Sequence, residues 1–391
     1  MTNRHLDLGV FAPTIGCLPP QGPPSFMLIS TAEQRTESTF DYNRRIAELL
    51  EQAGLEIFFM AQRGGAGFGP SRFWSTSLDS LTTAAALAMV TEQLKIISTV
   101  HTAFFHPGMV ARIGATLDQI SKGRWGLNLV SGWAENDFRM LGISLREHDE
   151  RYQQSAEFTE VLNKFWTTDW FDYTGRYFTI RQGTCNPKPA QRPPLYNAGS
   201  SPAGKEFTAR YCDWYFTGAV TPEQVRTEVA DVRTRAAAYG RAIHFITYLF
   251  VLCRDSEKQV QQEVEEILAH ADYQGAKELV ETLTGQTLGT ANSILGHGSL
   301  EEILRGAVLG MGSGKLIGTP EQVARSLAQL QDAGLDAVGL TFRHVEEELA
   351  DFIEKVLPWL ERMGVRWPRG QNPRSFSRGG PAGRPTKRAT P

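Results

Sequence analysis

Short β-rich apolar runs alternate eight times with amphipathic stretches along this chain, and that rhythm leaves few folds open. The runs are Leu6–Pro13, Glu56–Gln62, Leu94–Val100, Gly123–Ser131, Pro194–Gly199, Asp213–Thr217, His244–Leu252 and Ala337–Phe342. Helical periodicity follows them over 40–53, 79–90, 107–120, 150–166, 202–211, 221–239, 256–271 and 345–363, with a further helix over 319–334. In the first helix the apolar positions Ile46, Leu49, Leu50 and Ala53 share a face, and Gly54 stands where a C-cap belongs. Pro107 and Pro320 fall in first turns, where a missing N–H costs nothing. Eight βα units predict an α/β TIM (β/α)8 barrel; a doubly wound sheet is the alternative, because the rhythm alone does not specify closure.

Residues 1–368 read as one barrel domain with two insertions. The first, about 168–193, contains the hairpin pattern WFDYTGRYFTI. The second, about 272–314, is helical in part, then glycine-rich, and is expected to add no barrel element. Residues 369–391 carry six basic and no acidic side chains among Gly, Pro and Ser, so they are expected to form a disordered basic tail.

Charge and cysteine usage narrow the function. Forty Lys+Arg against 43 Asp+Glu leave a net charge of −3, which argues against nucleic acid as a partner. No run of about 18 apolar residues predicts a membrane span, and Met1–Val10 lacks a signal-peptide pattern. Cys17, Cys185, Cys212 and Cys253 show no C-x-x-C spacing, so a reduced, cytoplasmic chain without a zinc site is expected.

Barrel chemistry belongs at the C-terminal strand ends. The polar residues there are Gln62 and Arg63, Thr99 and His101, Asn128 and Ser131, Ser200 and Ser201, and Tyr248. Asn128 is the most informative, because asparagine is disfavoured inside a strand and its amide needs partners when turned inward. Ser200 and Ser201 precede a helix opening at Pro202, where backbone N–H groups favour a phosphate, although simple N-capping explains them equally. Arg63 opens the loop RGGAGFGPSRFW, which lacks the Lys-Ser/Thr ending of a P-loop and does not enter a helix as a dinucleotide fingerprint would. His101, His106 and His148 lack metal-ligand spacing, so no metal is expected, and no G-x-S-x-G elbow is present.

The run GRWGLNLVSGWAENDFRMLG, followed by HDERYQQSAEFTEVL, resembles the bacterial-luciferase superfamily of flavin-dependent monooxygenases. Further similarity lies in FDYNRRIAELLEQAGLE, the AGFG loop, HPGMVARIGATLDQISKGR, NPKPAQRPPLYNAGSSPAGKEFTARYCDWYFTG and LIGTPEQVARSLAQLQDAGLDAVGLTF. With the closing run EEELADFIEKVLPWLE, the resemblance covers about Leu6 to Leu360. Within the superfamily the chain looks most like the dimethylsulfone monooxygenases, then the pyrimidine monooxygenases.

The resemblance implies a luciferase-type barrel holding reduced FMN, supplied by a separate NAD(P)H:FMN reductase. Dioxygen, activated as a flavin peroxide, would oxidise a small-molecule substrate, and the chain would form a dimer or tetramer. FMN contacts carry over to Gln62, Arg63, Asn128, Asp137, Arg151, Tyr152, Ser200 and Ser201; close relatives have Glu where Asp137 stands. Thr99 and Asn128 match the catalytic pair lining the dioxygen pocket, with Thr99 Oγ placed to donate to an oxygen species. Phe68, Trp74, His101, Trp133 and Tyr248 would line the substrate pocket, with Phe73, Phe104 and Phe105 as further aromatic candidates. Alkanesulfonate enzymes carry Arg and His where this chain has Tyr248 and Phe250. Without those cations a neutral substrate is favoured: a sulfone such as dimethyl sulfone with carbon–sulfur cleavage, or alternatively a nitrogen heterocycle or aryl compound. Some members use a deazaflavin for oxygen-independent redox chemistry instead, and others bind flavin without catalysis. Residues 17–25 and the second insertion are expected to cover the site.

Overall fold

The computed structural model describes residues 5–16, 28–65, 67–284, 299–311 and 313–368. The expected tail, residues 17–25 and residues 285–298 of the second insertion lie outside that set.

Eight parallel strands close into a barrel. In barrel order they are β1 (Asp7–Phe11), β3 (Ile57–Phe59), β5 (Lys95–His101), β6 (Trp125–Val130), β9 (Leu195–Asn197), β10 (Trp214–Phe216), β11 (His244–Cys253) and β13 (Ala337–Thr341). The pairing of β10 with β11, Trp214 opposite His244, excludes the open doubly wound alternative. Two short strands outside the barrel, β2 (Ile15–Gly16) and β4 (Thr76–Ser77), pair antiparallel. The predicted hairpin forms from β7 (Phe171–Thr174) and β8 (Thr179–Gly183).

The helices wrap the outside: α1 (Phe40–Ala53), α2 (Ser80–Val90), α3 (Pro107–Ser121), α5 (His148–Thr167), α6 (Pro202–Tyr211), α7 (Pro222–Ala238), α8 (Glu257–Ala269), α11 (Pro320–Ala333) and α12 (Val345–Lys355). Alternation along each strand sorts its side chains. Leu8, Val10, Phe58, Ile96, Leu127, Phe245 and Val338 point outward into one large core beneath the helices. Ile57, Phe59, Ile97, Tyr196, Phe216, Ile246 and Ala337 point inward and fill the barrel. The middle of the barrel is therefore a packed core.

Three expectations need correction. Gly314–Gly318, at the end of the second insertion and not expected as a strand, is strand β12, and it pairs parallel with the far half of β11, Leu249–Cys253. The strand was missed because its two glycines mask the apolar run. The closing helix over 345–363 is two helices, α12 and α13 (Leu357–Arg362), parted at Val356. Pro358 has no N–H for the carbonyl four residues back, so the helix restarts there. A short helix, α4 (Glu135–Met140), follows β6 where none was expected. The second insertion also contributes α9 (Tyr273–Thr284) and α10 (Leu300–Val308), which help form a separate apolar cluster with Phe68, Phe73, Trp74 and Phe250.

Candidate active site

Strands β5 and β6 set Thr99 directly opposite Asn128. Both are inward positions, and Thr99 lies two residues beyond Ile97 of the interior core, one step nearer the barrel mouth. Asn128 Nδ2 donates to Thr99 Oγ1 at 3.0 Å, and that hydroxyl donates to the Met60 carbonyl at 2.7 Å. The Thr99 hydroxyl thus gives its proton to the Met60 carbonyl in this structure. Asn128 Oδ1 is left buried without a hydrogen-bond partner. The first residue of α2 locks this corner: Ser80 Oγ donates to the Thr99 carbonyl at 2.7 Å, and its N–H donates to Gln62 Oε1 at 2.8 Å. Gln62 is thus tied by its acceptor, leaving its amide nitrogen as the group available to a ligand.

Beside this corner stands a buried ion pair. Arg63 and Asp137 approach at 3.5 Å, with side chains 2% and 1% exposed. None of the three guanidinium nitrogens and neither carboxylate oxygen has a hydrogen-bond partner. Three rings surround the cation, with centroids 5.1 Å (Phe68), 5.5 Å (Trp74) and 5.0 Å (Trp133) from the guanidinium carbon. Burial pushes the Arg63 pKa below its usual value, and Asp137 pulls it back. His101 is buried and stacks on Phe104 at 4.9 Å. Burial pushes its pKa down to about 4, against the opposing effects of the Gln62 carbonyl and the Asp137 charge, so the ring is neutral at pH 7. Its Nδ1 also has no partner.

The third part lies where β9 meets α6. Ser201 is the N-cap of α6, its hydroxyl accepting from the Gly204 N–H at 3.1 Å. Gly199 and Gly204 pack backbone to backbone: a Cβ on Gly204 would lie 2.6 Å from the Gly199 carbonyl oxygen. Asn197 holds the turn, accepting from Gly199 N–H and Thr208 and donating to the Leu129 carbonyl. Tyr152 reaches the same place, hydrogen-bonded to Ser201; burial raises its pKa and that bond opposes the rise. Arg151 donates to the Gly132 carbonyl, and its Nε is buried without a partner. Burial lowers the Arg151 pKa, opposed by Tyr152. Ser200 is exposed.

These parts are contiguous. Ser201 touches Tyr152; Arg151 touches Gly132; Phe138 of α4 packs against Phe104, which stacks on His101. The structure thus brings together Gln62, Arg63, Phe68, Trp74, Thr99, His101, Asn128, Trp133, Asp137, Arg151, Tyr152 and Ser201 around the mouth. Tyr248 stacks on Phe11 at 4.7 Å and contacts Phe216, and it packs against both the barrel interior and the cluster that holds Phe68 and Trp74. Phe250 is fully buried in the cluster of the second insertion, and Phe105 packs against the outer core.

Sequence reasoning missed several supporting residues. Ser155 Oγ joins Thr102 and Ser131 at 2.8 Å each and so anchors the start of α5 to the end of β6. Asn197 sits in a run that reads only as strand. Glu135 and Asp137, two acids in one turn, were the available signal for the N-terminus of α4. Among the described residues no group of three metal-ligating side chains occurs, and no helix is long and apolar enough to cross a membrane.

A closed eight-stranded parallel barrel with unpartnered polar groups gathered at its C-terminal rim defines a TIM-barrel protein. The model of the luciferase-like monooxygenases matches residues 25–337, and the chain belongs to that family. The FMNH(2)-dependent dimethylsulfone monooxygenase of Pseudomonas putida is 34% identical over 342 residues, covering 86% of this chain and 92% of the relative. A pyrimidine monooxygenase of Caulobacter vibrioides is 30% identical over 354 residues, covering 89% and 98%. Among solved structures, a riboflavin lyase with modified FMN and riboflavin superposes with a TM-score of 0.80 at 25% identity, covering 93% of each chain.

Proposed function

We propose that this chain is a reduced-FMN-dependent monooxygenase acting on a small neutral substrate, a sulfone such as dimethyl sulfone with carbon–sulfur cleavage. The observation that carries the reading is the set of buried, unpartnered polar groups at one mouth: Asn128 Oδ1, the Arg63 guanidinium, the Asp137 carboxylate, His101 Nδ1 and Arg151 Nε. Leaving so many unsatisfied costs about 1–3 kcal/mol each, so their retention together marks a ligand site. Their chemistry fits FMN. Arg151, Tyr152, Ser200, Ser201 and the first N–H groups of α6 suit a phosphate. Asn128, Gln62, Arg63 and Asp137 offer the acceptors and donors that a polar heterocycle edge requires.

Reduced FMN, when bound, supplies the two electrons that activate dioxygen. The chain binds, orients and shields. Thr99 holds the Asn128 amide in one orientation. Neutral His101 presents an acceptor to the mouth. Phe68, Trp74, Trp133 and Phe104 exclude water. The Arg63–Asp137 pair has no net charge, which favours a neutral substrate over an anion. A separate NAD(P)H:FMN reductase supplies the cofactor, residues 1–368 act as one domain in a cytoplasmic homo-oligomer, and dimethyl sulfone places the reaction in sulfur metabolism. A pyrimidine-like heterocycle is the second reading, favoured by the Thr99–Asn128 pair.

The test supplies FMN, a reductase, NADH and oxygen, and follows substrate-dependent product by mass spectrometry. Absence of product from sulfones, pyrimidines and aryl compounds alike sinks the reading. Tighter binding of reduced deazaflavin than of reduced FMN would move the chain to oxygen-independent chemistry.

A further inference from the structure

We propose that Asp272 and Glu278, carried by the second insertion, are positioning residues that hold the Phe68–Trp74 loop as a wall of the substrate pocket and so set which substrates bind. The inference rests on the functional reading above for its substrates.

The loop is held in an unusual shape. Arg72 and Trp74 take left-handed backbone, φ 52° and 64°, although neither is glycine. Non-glycine residues adopt that region at a cost and keep it only where the surroundings enforce it. Within the loop, Phe68 and Phe73 exchange two backbone hydrogen bonds, at 2.8 and 3.0 Å. Without further anchors this short bridge would be free to swing.

The anchors come from about 200 residues away in sequence. Asp272 Oδ2 accepts from the Ser71 N–H at 2.8 Å, and Glu278 Oε2 accepts from the Gly69 N–H at 2.8 Å. The other oxygen of Asp272 accepts from the Gly275 N–H at 2.8 Å, capping α9. One buried carboxylate therefore ties the insertion helix to the loop. The two backbones also touch: Gly69, at φ 58°, packs against Gly275, and a Cβ on Gly69 would lie 2.5 Å from the Gly275 Cα. The loop delivers Phe68 and Trp74 to the Arg63 guanidinium, and Trp74 meets Trp133 edge-on at 5.8 Å. None of these anchors is itself assigned to FMN, and the side chains they hold in place, Phe68 and Trp74, are the ones assigned to the substrate pocket.

Asp272→Ser separates cap from clamp. A serine hydroxyl caps α9 as well as the carboxylate does, but it is too short to reach Ser71. Glu278→Ala removes the second anchor independently. Hydrogen–deuterium exchange of the peptide over residues 67–75, measured on the full chain without substrate, is expected to speed at least tenfold in each variant. In turnover, KM for dimethyl sulfone or uracil is expected to rise about tenfold, with kcat and FMN affinity within twofold of wild type. Unchanged exchange in both variants overturns the clamp. Faster exchange with unchanged KM overturns the role of the loop at the substrate. A wild-type chain that turns over neither compound fails the functional reading, and the clamp then stands or falls on exchange alone.

Discussion

Asn128 and Thr99, facing each other across adjacent strands, form a relay of two hydrogen bonds that ends on the Met60 carbonyl. The threonine hydroxyl is both acceptor and donor, so it dictates which way the Asn128 amide turns. Thr99→Val keeps the shape and removes the hydroxyl, leaving the Asn128 N–H and the Met60 carbonyl buried and unpaired. Stability is expected to fall by about 1–3 kcal/mol, and turnover to fall more than tenfold as the amide loses its orientation. Urea unfolding and steady-state kinetics measure the two effects.

Arg63 and Asp137 make a charge pair that the fold would do better without. Arg63→Met alone strands a buried carboxylate and is expected to cost about 3–5 kcal/mol. Adding Asp137→Asn removes the orphan charge and should recover most of that loss. FMN affinity, read by flavin fluorescence quenching, is expected to stay at least tenfold weaker in both the single and the double variant. Restored binding in the double variant would make the pair purely structural.

Ser201 separates helix capping from ligand binding. Ser201→Asp retains a good N-cap and complements the α6 dipole, so the melting temperature should hold or rise slightly. The new carboxylate stands where the phosphate is proposed, so FMN affinity should drop more than tenfold while riboflavin affinity changes little. Equal losses for the two flavins would place the phosphate elsewhere.

His101 gives a pH signature. Its folded pKa is about 4, depressed from 6.5 by burial. Above pH 6.5 the ring is neutral in both states and its contribution is constant. As pH falls from 6.5 to 4 the unfolded chain takes up the proton first, so the native state loses up to about 3 kcal/mol. The stability difference between wild type and His101→Phe should therefore be flat above pH 7 and turn against wild type by about that amount at pH 4. A difference that does not vary with pH would mean that His101 titrates normally.

The alternation of apolar runs and helical periodicity determined the eight βα units, because a strand buried on both faces and a helix buried on one leave clear local patterns, while closure into a barrel came only with the β10–β11 pairing. The hairpin at Phe171–Gly183 and the helix starts at Pro107 and Pro202 were legible for the same local reason. The resemblance pointed to Gln62, Arg63, Thr99, Asn128, Asp137, Arg151, Tyr152 and Ser201, and the fold brings these side chains to one mouth, where their binding of FMN is the proposal. Tyr248 lies partly buried between the barrel interior and the cluster of Phe68 and Trp74, a height along the strand that the alternation pattern does not specify. Strand β12, bounded by glycines, and the six-residue helix α4 were too short to stand out.

Only the tertiary structure decided what each of those residues does with its hydrogen bonds. That Thr99 gives its proton to Met60, that Arg63 and Asp137 have no hydrogen-bond partner, and that Asp272 reaches Ser71 are facts about segments brought together by packing. Periodicity records which face of an element is buried; it carries no information about which distant atom will lie 3 Å away, because that distance is set by strand register and loop anchoring summed over the whole barrel.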